Sequence, residues 1–116
     1  DLIFLSTHEP CSMCLSAITW AGFDNFIYLF SYEESRDLFA IPHDLNILNQ
    51  VFNIQDGNYK KSNEYWVSYS IDEILNNGKF KNHTNLQERI INIKKSYDKL
   101  SELYQRTKTS NDIPLN

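Results

Sequence analysis

The amino-acid sequence predicts an α/β domain in three layers (α/β/α), with helices on both faces of a mixed or mostly parallel sheet. Three observations lead there. A short apolar run at residues 2–5 is followed by an apolar helix-type segment at 13–20 and then by the β-branched and aromatic run Phe26, Ile27, Tyr28, Leu29, Phe30. Strand, helix and strand in that order make a βαβ unit, whose two strands pair in parallel. Residues 65–71 then place large apolar side chains at every second position, 65, 67, 69 and 71, the strand period, and a long stripe of helix period closes the chain. At 116 residues there is room for one small domain, and 41% hydrophobic with 14% aromatic residues is enough to fill one core and to exclude disorder throughout.

Each element has a local reason. Leu2, Ile3, Phe4 and Leu5 form an unbroken apolar tetrad without helical spacing, which predicts a buried strand running into a loop closed by Pro10. Proline is suited to the first turn of a helix, where its missing N–H costs nothing. The helix that follows carries Met13, Leu15, Ile18 and Trp20 and stops at Gly22, with Trp20 expected in the core. A short turn through Phe23, Asp24 and Asn25 enters the second strand. Glu33, Glu34, Ser35, Arg36 and Asp37 start a short helix that Ile41 and Pro42 interrupt. A further helix opens near His43 and Asp44, with Leu45, Leu48 and Phe52 on one stripe. Asp56, Gly57 and Asn58 signal a turn. Tyr65, Val67, Tyr69 and Ile71 are then expected on the buried face of a third strand near a sheet edge. After a break at Asn76, Asn77 and Gly78, the residues Leu86, Ile90, Ile93, Tyr97, Leu100 and Tyr104 recur at steps of four and three, the stripe of one amphipathic helix packed on the sheet or on a partner. The tail from Thr107 is polar. The division expected is 1–75 for the α/β part and 76–116 for the amphipathic helix and tail.

Fifteen acidic against eleven basic residues give a formal charge of −4, which opposes broad phosphate neutralisation and favours a small-molecule partner over a polynucleotide. Lys60, Lys61, Lys94 and Lys95 read as solvated faces. No apolar stretch reaches the roughly 20 residues that cross a bilayer, so no membrane partner is expected. Two closely spaced cysteines do not make a disulfide framework, which points to a reducing compartment and a cytoplasmic location. A homodimer stays open. The sequence begins with Asp1 and not with Met, and it is read as a piece of a longer chain.

Both cysteines, Cys11 and Cys14, lie in the stretch THEPCSMCLSAI. A helix N-terminus favours the thiolate, the form that binds metal or attacks. By itself a C-x-x-C pair fits half of a tetrahedral zinc site, a dithiol redox couple or simple packing.

The sixteen residues 7–22, THEPCSMCLSAITWAG, resemble the T-x-E-P-C-x-M-C-x-x-A-I-x-W-[AS]-G segment of the cytidine and deoxycytidylate deaminase superfamily, most of all its guanine deaminase and tRNA adenosine deaminase branch. The superfamily signature is H-x-E followed downstream by P-C-x-x-C. The likeness extends in order of elements to about Phe52. It implies a three-layer cytidine-deaminase-like fold, of which residues 1–75 would be the C-terminal part, and a Zn2+ cofactor. Cys11 and Cys14 match the two thiolate ligands, Pro10 the residue that presents Cys11, and Glu9 a motif residue that is not the proton shuttle. Zinc in such enzymes activates a water that attacks the amidine carbon of a purine or pyrimidine, and ammonia leaves.

The departure from the pattern is as informative. The third ligand and the general acid/base both come from H-x-E on a preceding helix, and no histidine here is followed by x-Glu: His8, His43 and His83 open the triplets His-Glu-Pro, His-Asp-Leu and His-Thr-Asn. The N-terminal strands and the H-x-E helix are missing from these residues. His8 reads as a loop or pocket residue, His43 as a helix-start residue and His83 as a loop residue. The function expected is that of a zinc-dependent hydrolytic deaminase of a purine or pyrimidine base or nucleoside, inactive without H-x-E, with tRNA the less favoured substrate. The alternatives are a non-catalytic remnant or binding module of the same fold, and a C-x-x-C dithiol oxidoreductase.

Overall fold

A computed structural model describes residues 2–77, 84–112, 114 and 115. Two compact units divide the chain, Asp1–Lys79 and Phe80–Asn116. The first is an α/β unit built on a three-stranded parallel sheet, β1 (Phe4–His8), β2 (Asn25–Phe30) and β3 (Val67–Ser70), in the order β1-β2-β3. Helix α1 (Ser12–Trp20) joins β1 to β2, and α2 (Tyr32–Phe39) with α3 (His43–Phe52) joins β2 to β3. The expected βαβ order and parallel pairing are thus present, and β3 lies at an edge.

Register explains which side chains fill the core. Phe4 stands beside Phe26 and Phe26 beside Ser68, so these residues share a face with Tyr28 and Phe30. Ile18 of α1 packs on that face with Phe26, Tyr28 and Trp66, and Phe4, Leu15, Phe23 and Tyr59 complete the cluster. Phe26 and Phe30 are fully buried. Trp66 meets Phe26 with ring centroids 4.9 Å apart and donates its indole N–H to Thr19 Oγ1 at 2.8 Å. At the other end of the strands Phe30 packs edge-on against Phe39 of α2.

Several expectations are corrected. The first strand is Phe4–His8 and not residues 2–5. Leu2 and Ile3 precede it and are exposed, and Leu5, of opposite parity to Phe4, is 68% exposed. An unbroken apolar run does not tell its two faces apart, and only the Phe4 face meets α1. The third strand is shorter and of opposite parity to the expected one. Trp66 and Ser68 are buried, while Tyr65 and Tyr69 are exposed, because pairing with β2 places Ser68 beside Phe26. Ile71 belongs to a helix, α4 (Ile71–Asn76), which touches β2 and β3. Its start is a capping box: Ser70 Oγ accepts the Glu73 N–H at 3.0 Å and Glu73 Oε2 accepts the Ser70 N–H at 3.1 Å. The spacing Ser70-x-x-Glu73 is the signal that marks this helix, and Ser31-x-x-Glu34 starts α2 in the same way. Trp20, expected inside, is 91% exposed, because Ile18 takes the sheet-facing position two residues earlier. Met13 and Phe52 are likewise exposed.

Gly57 ends the 3-10 turn Gln55–Gly57 at φ +68, buried against Tyr32 and Leu45. In the second unit, α5 (Thr84–Thr107) is one continuous helix followed by a 3-10 turn, Lys108–Ser110. All six residues of the predicted stripe fall within it, and Leu86, Ile93 and Leu100 are exposed. His83 lies outside the described residues. Among the described residues no helix is long and apolar enough to cross a membrane.

Candidate site at the β1–α1 turn

The chain leaves β1 at His8 and enters α1 through Glu9, Pro10 and Cys11, at the C-terminal end of the strands. Ligands of open α/β sheets bind at that end. Cys11 is the N-cap of α1, extended at φ −65 and ψ 170, and Cys14 is the third helical residue. Leu15 donates its N–H to Cys11 O at 2.8 Å, the first bond of the helix. N-cap and third residue lie on the same side of a first turn, which brings the two sulfurs to 3.5 Å. Both thiols are free and half-buried.

That separation can be tested against a metal. Two sulfurs at about 2.3 Å from one zinc at the tetrahedral angle are about 3.8 Å apart. The thiols therefore fit a shared tetrahedral ion after a shift of a few tenths of an ångström. They are also close enough for a disulfide to form by side-chain rotation, at an S–S length of about 2.05 Å. The Cys14 thiol is pushed up, first by burial and then by the hydrogen bond and charge of Cys11, with Asp44 adding to it.

Glu9 is the best-anchored side chain of the turn, 4% exposed. Its N–H donates to Phe30 O at 2.7 Å, which extends the β1–β2 ladder by one residue. Its carboxylate accepts from the Tyr32 N–H at 2.9 Å through Oε2, and from the Tyr59 hydroxyl at 2.7 Å and Lys61 Nζ at 2.5 Å through Oε1. Tyr32 in turn donates its hydroxyl to Pro10 O. The Tyr32 and Tyr59 hydroxyls are held far above their ordinary range, by burial first and by the Glu9 charge second. Three donors on one buried carboxylate hold Glu9 in place beside the turn. Lys61, expected on a solvated face, is instead the ion-pair partner of a buried acid and lies over the Tyr59 ring at 3.6 Å from the centroid. No local pattern marks Tyr59 and Lys61, which lie 50 and 52 residues beyond Glu9.

His8 stacks at 5.0 Å on Phe30 and 5.7 Å from Phe39. Burial holds its pKa below the ordinary value, opposed by Asp44 of α3. Asp44 itself is shifted up by burial, with His43 and His8 pulling the other way. Among the described residues no three His, Cys, Asp or Glu side chains are close enough together to hold a metal. The structure thus brings Cys11 and Cys14 together as two neighbouring free thiols. No family model, no curated protein and no solved structure matches this chain.

Proposed function

We propose that the chain carries the dithiolate half of the zinc centre of a hydrolytic deaminase acting on a purine or pyrimidine base or nucleoside. The observation that carries this reading is the pair Cys11 and Cys14 at 3.5 Å in the first turn of the helix that follows a parallel strand, within a segment that resembles the deaminase P-C-x-x-C motif. The βαβ order and the parallel sheet support a cytidine-deaminase-like three-layer arrangement. When bound, the metal would supply a water activated for attack on the amidine carbon. Cys11 and Cys14 would hold the metal, Pro10 and Glu9 would set the turn that presents Cys11, and the strand ends would leave the site open to substrate. A histidine ligand and a proton-carrying Glu from H-x-E must come from outside these 116 residues, whose three histidines are not in that motif. The acidic balance favours a free base or nucleoside over tRNA.

The test pairs the 116-residue chain with a version extended upstream through an H-x-E motif, both supplied with zinc. Ammonia release from guanine, cytosine, adenosine or cytidine is expected only from the extended chain, and only with Cys11 and Cys14 intact. Turnover by the short chain that is lost on Cys14→Ala would overturn the assignment of the proton carrier. An extended protein that binds no zinc and cycles reversibly between dithiol and disulfide would favour the oxidoreductase reading.

A further inference from the structure

We infer that the outer face of α1 is a two-fold interface, at which the helix pairs antiparallel with α1 of a second copy of this chain. Met13, Ser16, Ala17 and Trp20 follow one another at helical spacing, so they form one stripe along the helix. All four are exposed, and Trp20, at 91%, is the most exposed large apolar side chain among the described residues, with Met13 next at 74%. The stripe lies opposite Leu15 and Ile18, which pack into the core, so the facing that buries Ile18 is what turns Trp20 outward. Single exposed apolar residues are ordinary, whereas a Trp and a Met in line with two small residues on one helix face mark a contact surface. This interface does not depend on what Cys11 and Cys14 bind.

Charge decides the occupant. Residues 10–23 contain no charged side chain, although residues 1–79 as a whole carry eleven acidic against four basic ones. A basic partner would be drawn to that acidic body, but the α1 face offers it no carboxylate, and an acidic partner would be repelled by the body. A face without charge leaves no unpaired ion at the contact, and α1 of another copy is such a face. It is also self-complementary. In an antiparallel pair centred between residues 16 and 17, Met13 stands opposite the partner's Trp20 at one end and Trp20 opposite the partner's Met13 at the other, the isologous arrangement of a two-fold dimer. A thioether sulfur against an indole is a favourable contact, and Ser16 and Ala17 at the centre let the helix axes approach to about 8 Å. Each buried Trp takes about 150–250 Å² out of water, so the two Trp20 side chains alone fall well short of the roughly 1,200 Å² at which stable interfaces begin. The dimer is therefore a weak one, with a Kd in the micromolar range.

The test is analytical ultracentrifugation of the full 116-residue chain, up to millimolar concentration, as wild type, Trp20→Ser, Ala17→Glu and Ala17→Arg. The wild type is expected in a monomer–dimer equilibrium that tightens as salt rises, because salt screens the repulsion between the two acidic bodies. Trp20→Ser should weaken it about tenfold or more. Ala17→Glu and Ala17→Arg should each be monomeric, since the two-fold brings like charges together, and mixing them in equal amounts should restore association as a heterodimer. Both positions are exposed, so circular dichroism and the melting temperature of the dilute variants should match the wild type. Where a charge at residue 17 unfolds the chain, Trp20→Ser decides. A wild type that stays monomeric throughout, or charge variants that fail to associate when mixed, would overturn the inference. So would a dimer that survives Trp20→Ser and both Ala17 variants, which would place self-association elsewhere, such as the exposed stripe of α5.

Discussion

Gly57→Ala, compared with Gly22→Ala, measures how rigidly Tyr32 is held beside the thiol-bearing turn. Both glycines have left-handed backbones, φ +68 at Gly57 and +78 at Gly22, which cost an L-residue about 1–2 kcal/mol. They differ in space. A Cβ at Gly22 meets nothing within 4 Å, whereas one at Gly57 lies 2.9 Å from Tyr32 Cδ2 and 3.2 Å from Leu45 Cδ2. The Tyr32 ring cannot swing away without giving up the bond from its hydroxyl to Pro10 O. Forcing an extra methyl into such packing costs about 1–3 kcal/mol. Gly57→Ala should therefore destabilise by about 2–5 kcal/mol and Gly22→Ala by about 1–2 kcal/mol. At about 4–8 °C per kcal/mol for a unit of this size, the difference amounts to at least several degrees in Tm. Urea and thermal unfolding followed by the fluorescence of buried Trp66, in a Trp20→Phe background to remove the exposed indole, reads the first unit directly. Equal costs for the two substitutions within about 0.5 kcal/mol would refute the claim that Tyr32 is fixed against Gly57.

Thr19→Val removes the acceptor of the Trp66 indole N–H at nearly constant shape, so a buried donor loses its partner; the expected cost is about 1–3 kcal/mol by urea denaturation, and a change below 0.5 kcal/mol would show that the bond at 2.8 Å contributes nothing. His8 has its folded-state pKa lowered by burial, so the unfolded chain binds its proton first. Stability should then fall as the pH drops through the ordinary histidine value of about 6.5 and level off below the folded pKa, and His8→Phe should flatten that fall between pH 7.5 and 5.5. A variant with the same pH profile as the wild type would remove His8 as the cause.

What could be read in the sequence is what neighbouring residues decide among themselves. Strand, helix and strand followed from runs of apolar residues and their period, the position of Cys11 and Cys14 at the start of α1 followed from Pro10 and the helix-type segment after it, and the parallel pairing of β1 with β2 followed from the helix between them. The serine and glutamate pairs at Ser31-Glu34 and Ser70-Glu73 belong to the same local kind, and the second marks the helix at Ile71 that an alternating pattern hides. Facing is different, because alternation defines two faces of a strand and does not say which one will be covered. Trp66 and Ser68 point inward and Tyr65 and Tyr69 outward only because β2 sets the register, and Trp20 is outside because Ile18 meets the sheet. The grip on Glu9 is more remote still. A buried carboxylate needs donors wherever the fold supplies them, and here Tyr59 and Lys61 arrive from 50 and 52 residues downstream. Local chemistry determined that two thiols share one helical turn, and the tertiary structure alone decided what holds that turn in place, since only folding brings a distant hydroxyl and ammonium to the acid beside it.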